Sequence, residues 1–261
     1  MKVISLGWGV QSWTLAAMAA LGEIEADGAI HADTCWEKQA TYEFIRQWHP
    51  WLEAHGLRVV TVGEPSQAVT KVKTAQTDIP AFTDTPSRNG GQLRRQCTGR
   101  WKIQPIRRWI TAELERRGLR KIPGCVESLQ GISLDEWQRM KDSDVRWITH
   151  RYPLVEKRMT RGDCMTWLAA HDLPVPPKSA CVFCPFQSIN TWRELKRNGG
   201  QDWATATEID RAIRDVRPPY DLFVHPARVP LPEAVVTPED SGFSQASMFD
   251  GDGCESGYCF V

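Results

Sequence analysis

The chain has 261 residues, 41% of them hydrophobic and 25% charged, with 32 basic and 32 acidic side chains that cancel at neutral pH. This is the composition of a globular protein with one sizeable core and room for an appendage, and its overall charge argues neither for nor against nucleic acid. No apolar run approaches a membrane span and no signal peptide precedes the first apolar run, so a cytoplasmic location is expected, and the eight cysteines point to metal or redox chemistry before a disulfide framework.

Residues 2–6 read as a strand and 11–21 as a helix. Between them, Gly7-Trp8-Gly9 makes a tight loop that ends at Ser12. Such a loop offers backbone N–H groups at a helix N-terminus, where phosphate is attracted; an ordinary glycine turn is the competing reading. A strand at 28–33, a helix at 38–55 and a strand at 57–62 complete a βαβαβ order, which predicts a parallel sheet with right-handed crossovers. Asp33 and Thr34 fall at the C-terminal end of the second strand, where open parallel sheets bind ligands. Asp33 is thereby placed for a ribose hydroxyl or an adenine amino group, or else for capping the next helix.

Residues 78–96, rich in Pro, Asn and Gly, read as a mobile loop over a site. A helix follows from Lys102 to Arg117. The run from Arg94 to Lys121 is dense in Arg and Lys, as suits a polyphosphate or nucleic-acid surface or a solvated helix face. Residues 125–132 read as a strand ending in the Gly131 turn, and a helical piece begins at Asp135. Gly131, Asp135, Glu136, Arg139 and Lys141 suit contact with ribose, phosphate or Mg2+; the alternative is a helix start capped by Ser133. His150 and Arg151 are placed toward the same cleft. Thr160 and Asp163 predict a capping box for a helix through His171. Pro174, Pro176 and Pro177 force an extended segment into Cys181-Val182-Phe183-Cys184-Pro185. Residues 188–215 read as helix, and an irregular acidic tail carries Cys254 and Cys259. Most of the twelve tryptophans are expected to pack, and Cys125 and Cys164 with them.

Cys181 and Cys184 form a C-x-x-C, which binds one metal or cluster from a single turn. Cys97 lies among cations that favour thiolate and is a third candidate ligand. Zinc would take a fourth from Cys254 or Cys259, and three thiolates with an open corner suit a [4Fe–4S] cluster. The residues leave zinc and iron–sulfur open.

Four segments in order resemble the PP-loop group of adenine-nucleotide enzymes, most closely its phosphoadenosine phosphosulfate reductase-like branch. They are Ser5-Leu6-Gly7-Trp8-Gly9-Val10-Gln11-Ser12, then Ala32-Asp33-Thr34 with Thr41-Tyr42-Glu43-Phe44. Next come Cys97-Thr98 with Lys102 and Pro105, and last Tyr152-Pro153-Leu154 through Cys184. The family loop reads Ser-Gly-Gly-x-Asp-Ser, so Gly7 replaces its first serine, Gln11 its aspartate, and Trp8 crowds a glycine position. The resemblance implies a three-layer Rossmann-like α/β fold, a parallel sheet with helices on both faces. It places a PP-loop nucleotide domain with a cysteine cluster at 1–185, and a helical extension with an irregular tail at 186–261. It further implies ATP or another adenine nucleotide on Ser5, Gly7, Gly9, Val10, Gln11, Ser12, Asp33, Thr34 and Gly131. Cys97, Lys102 and Asp135 would be catalytic, and Cys97, Cys181 and Cys184 would hold a [4Fe–4S] cluster, with Mg2+ beside the nucleotide and Zn2+ as the alternative metal. The missing aspartate bears against standard Mg–ATP chemistry.

The expected activity is ATP-dependent sulfur transfer to a nucleic acid or nucleotide, served by a sulfur donor or reductant protein, with the 94–121 run meeting nucleic acid. One alternative is a thiol-dependent sulfonucleotide reductase with Cys254 or Cys259 as nucleophile. Another is a zinc-stapled nucleotide- or DNA-binding module without catalysis. No membrane role is expected, and the sequence does not specify an oligomeric state.

Overall fold

The structure, a computed structural model, describes residues 1–63, 78–84 and 90–236. Residues 85–89 of the expected loop, and Cys254 and Cys259, lie outside the described residues. The chain divides into two compact units. One holds residues 1–63 and 101–179; the other holds the described residues of 64–100 and 180–257. This division in space interleaves the chain, whereas the expected 1–185 and 186–261 follow chain order.

The first unit opens with β1 (Lys2–Ser5), α1 (Val10–Ala20), β2 (Gly28–Ala32), α2 (Gln39–Ala54) and β3 (Val59–Val62). After 101 it adds α3 (Gln104–Arg116), β5 (Val126–Gln130), a 3-10 turn (Leu134–Arg139), β6 (Ile148–Arg151), the short α4 (Pro153–Glu156) and α5 (Arg161–Ala170). β4 (Phe82–Asp84) belongs to the second unit. The sheet order is β3-β2-β1-β5-β6 and every pairing is parallel. Adjacent strand residues point to opposite faces. Ile4, Ala29 and Leu129 therefore join one core with α1, α2 and α5, while Val3, Ile30 and Val126 join a second with Ile110 and Leu114 of α3. Helices thus cover both faces of a Rossmann-like α/β sheet.

Thr160 and Asp163 form the expected capping box at the start of α5. Cys164 of α5 is fully buried in the first core, and burial pushes its thiol up to about 12, so it packs as an apolar side chain. β6 is an edge strand of mixed, partly exposed residues that no apolar run marks in the sequence. His150 accordingly turns its Nδ1 to the Lys141 carbonyl, and Arg151 pairs with Glu127 and Glu156.

The second unit pairs β4 antiparallel with β7 (Asp221–Phe223) and adds α6 (Ile189–Asn198), α7 (Gln201–Ala212) and α8 (Leu231–Ala234). The helix expected over 188–215 breaks at Gly199-Gly200, where Gly200 adopts φ +47°. Buried Asp210 ties this unit together by accepting from Arg214, Val224 N–H and Leu231 N–H.

Within the basic run, Arg100 pairs with Asp78, Lys102 with Glu37, Arg107 with Asp144, and Arg116 and Arg117 with Glu113. Five cations of the run expected to meet nucleic acid are thus matched by carboxylates within the chain. Hydrogen bonds from Arg116 and Arg117 hold the Glu113 carboxyl at about 2, well below the usual carboxylate range. A depressed carboxylate stabilises the fold above its unfolded value and loses that contribution as pH falls toward its folded value. Glu113→Gln is expected to be less stable than wild type at neutral pH. The two urea midpoints should converge as pH drops through the window from about 4.5 to about 2; a gap unchanged across that window refutes the assignment.

Candidate functional site

The sheet grows from β1 outward to β3 on one side and to β5 and β6 on the other. The strand order therefore reverses between β1 and β5, and ligands of open parallel sheets bind outside the carboxyl ends at such a point. The loops that meet there are Leu6–Gly9 and Gly131–Ser133.

Ser5 ends β1, paired with Ile30 and Gln130. Gly9 is the N-cap of α1 at φ −87°, with no side-chain cap and no acidic residue in the first turn. The helix thus presents its orphan N–H groups and dipole with no acidic side chain of its own first turn beside them. Val10 turns its side chain into the core. Ser12 braces the loop: its Oγ accepts from Gly7 N–H at 3.2 Å, and its hydroxyl donates to the Gly9 carbonyl at 3.2 Å. Gly131 lies so near that an added Cβ would stand 2.7 Å from both Cα and N of Ser12.

Trp8 overturns the expectation of crowding. It adopts φ +58°, which turns its ring away from the loop's amides and into the core, 1% exposed and stacked on Trp13 at 6.0 Å.

Gln11 is 8% exposed and engaged at both ends. Its Nε2 donates to Glu136 Oε2 at 3.2 Å and to Ser133 Oγ at 3.4 Å, while its Oε1 accepts from Arg161 Nη1 at 3.1 Å. Ser133 is the N-cap of the 3-10 turn but makes no side-chain cap bond. Burial raises the Glu136 carboxyl above its ordinary value against the pull of Arg139, to which it is hydrogen-bonded. Asp135 accepts the Arg161 N–H at 3.0 Å, which docks the start of α5.

At the end of β2, Asp33 Oδ1 accepts from Cys35 N–H at 2.7 Å and from the Tyr42 hydroxyl at 2.9 Å. Lys38 is the N-cap of α2, so Asp33 does not cap it. Burial and then the Asp33 carboxylate push the Tyr42 phenol upward, keeping it a donor. Thr34 is buried and its Oγ1 accepts from Trp36 N–H.

Glu37 and Lys102 form an ion pair at 3.5 Å, and the Ser179 hydroxyl donates to Glu37 at 3.1 Å. The two side chains are 1% and 11% exposed. Removing one partner of such a pair strands the other charge, so the pair holds Lys102 in place. His31 Nδ1 faces the Leu6 carbonyl at 3.1 Å. A carbonyl only accepts, so Nδ1 carries the proton and fixes this strand end. Burial lowers the His31 pKa and keeps the ring neutral. Glu37, Arg161 and His31 were not singled out from sequence, and Tyr42 appeared there only within the second resembling segment, with no role of its own. Gln11 and Arg161 are 150 positions apart, and nothing local to either signals the other.

The expected metal ligands Cys97, Cys181 and Cys184 all lie in the second unit, each half-buried. Cys97 N–H donates to the Asp78 carbonyl at 2.9 Å, and Asp78 also binds Arg100. Cys181 and Cys184 close a turn through Cys184 N–H to Cys181 O at 3.0 Å, with Val182 and Phe183 buried beneath. Among the described residues, no group of three or more His, Cys, Asp or Glu side chains is gathered as for a metal ion. Among them, too, no helix is long and apolar enough to cross a membrane.

No protein-family model matches the chain, and no curated protein matches it. Among solved structures it is similar to the phosphate complex of phosphoadenylyl-sulfate (PAPS) reductase from Candida auris. The identity is 12% and the TM-score 0.42, over 67% of this chain and 74% of that chain.

Proposed function

We propose that the chain is an adenine-nucleotide-binding enzyme of PP-loop type that uses ATP to transfer sulfur to a nucleic acid or nucleotide. One observation carries the nucleotide reading. The uncapped N-terminus of α1 lies at the point of strand-order reversal, with Gly131 pressed against its first turn. Amides and dipole there suit phosphate, and Asp33 and Thr34, at the end of the neighbouring strand β2 in the same unit, suit the adenosine.

In the reaction, an acceptor oxygen attacks the α-phosphorus. The new O–P bond forms as the bond to the β-phosphate oxygen breaks, and pyrophosphate leaves. A sulfur nucleophile at the hydrosulfide level, brought by a donor protein, then displaces AMP. Charge that builds on the α-phosphate is met by fixed donors and cations. The resemblance also proposes a [4Fe–4S] cluster on Cys97, Cys181 and Cys184. The described residues do not gather a metal-holding group, so no step here runs through it.

The test is ATP binding and pyrophosphate release by the full chain, with iron, sulfide and zinc determined on anaerobically purified protein. Release of pyrophosphate in the presence of a thiolation acceptor is expected. Absence of ATP binding refutes the nucleotide reading. Binding without pyrophosphate release refutes the transferase and leaves a nucleotide-binding module, and stoichiometric zinc without iron refutes the cluster.

A further inference from the structure

We infer that Arg161 is a phosphate-binding residue of the α1 loop, and that its guanidinium takes the charge-neutralising role that Mg2+ would otherwise fill. This rests on the reading of that loop as a nucleotide site. Three observations converge. Gln11 stands where the resembled loops carry aspartate; its neutral amide lacks the charge that attracts a hard cation, and both ends of it bind within the chain. That amide holds Arg161 Nη1 at 3.1 Å beside the first turn of α1. Among the described residues, finally, the Arg161 guanidinium forms no ion pair, in contrast to Arg100, Arg107, Arg116 and Arg117, which are spent on carboxylates.

Glu136 attracts the Arg161 guanidinium through space without forming an ion pair with it. Arg161 is the first residue of α5 and its side chain reaches the start of α1, so a cation lies against two positive helix ends. The nearest carboxylates are already used. Glu136 takes Arg139 and the Gln11 amide, and Asp135 takes the Arg161 backbone N–H. A bound phosphate accepts from the α1 amides and from the guanidinium together.

The test is equilibrium binding of ATP to the full chain in EDTA and in Mg2+. Wild type is expected to bind in EDTA with affinity within about threefold of that in Mg2+. Arg161→Gln is expected to weaken binding in EDTA by about tenfold or more, and by less in Mg2+. That split is one that mere loosening of α5 does not produce. Arg161→Lys should bind better than Arg161→Gln, since it keeps the charge. A strict Mg2+ requirement in wild type overturns the inference whatever the variants do. So does an Arg161→Gln protein, folded by thermal melting, that binds in EDTA as wild type does. No ATP binding under either condition refutes the nucleotide reading itself, and the inference with it.

Discussion

Gly131→Ala is expected to disable the proposed nucleotide loop, and Gly9→Ala to do so by a different route. At Gly131 the added methyl would stand 2.7 Å from Cα and N of Ser12 and 3.0 Å from its Cβ. Two of those atoms are backbone, in a residue bonded to both Gly7 and Gly9. Neither α1 nor the strand end yields cheaply, so a loss of about 1–3 kcal/mol or more follows from overpacking. Relief comes only by moving the first turn of α1 away from the β5 loop, which spoils the amide array. ATP affinity should fall at least about tenfold, equivalent to ~1.4 kcal/mol. At Gly9, by contrast, nothing lies within 4 Å of an added Cβ. Gly9→Ala is then limited to a cap cost of about 1 kcal/mol or less. If phosphate occupies that open space, Gly9→Ala loses ATP binding while its urea midpoint stays near wild type. A Gly131→Ala protein with wild-type midpoint and affinity contradicts the packing argument, and a Gly9→Ala protein that binds normally contradicts the phosphate's placement.

Trp8 offers the second large effect, and its substitutions should fall in an unusual order. The residue sits at φ +58°, which costs an L-residue roughly 1–2 kcal/mol. It persists because the ring is buried, packed on Trp13, Phe44 and His31. Truncating a buried tryptophan costs about 3–5 kcal/mol, so packing outweighs strain. Trp8→Ala loses the packing and keeps the strain. Trp8→Gly loses the packing but relieves the strain, against an unfolded-state entropy penalty of about 0.4–1 kcal/mol. Glycine is therefore expected to be the more stable of the two by roughly 0.5–1 kcal/mol, reversing the usual preference for alanine. Urea unfolding of both variants decides it; a Trp8→Gly midpoint at or below that of Trp8→Ala refutes the balance.

How legible an element was in the sequence tracks how local its cause is. β1, β2 and β3 announce themselves by apolar runs between turn residues, and α1 and α2 by their length between those strands. The capping box of Thr160 and Asp163 spans four residues and was legible in the sequence. β6 was missed because Ile148-Thr149-His150-Arg151 is a mixed, largely exposed edge strand, defined only by its pairing with β5. β4 and β7 are three residues each and exist through one another across more than a hundred positions. The break at Gly199-Gly200 was overlooked within an otherwise helical pattern. There an added Cβ at Gly199 would stand 2.3 Å from the Leu195 carbonyl oxygen.

At the site, chain order alone determined the glycine loop after β1, the Gly131 turn and the parallel sheet that brings them together, because spacing and backbone preference act over a few residues. Where each side chain points was settled only in three dimensions. The left-handed turn of Trp8, the buried pairing of Glu37 with Lys102, and the grip of Gln11 on Arg161 each depend on partners supplied by another element. Charge obeys the same rule: a basic run in sequence becomes internal ion pairs once the carboxylates of Asp78, Glu37, Asp144 and Glu113 are folded beside it. Electrostatic and packing energies depend on distance through space, which the order of residues does not contain.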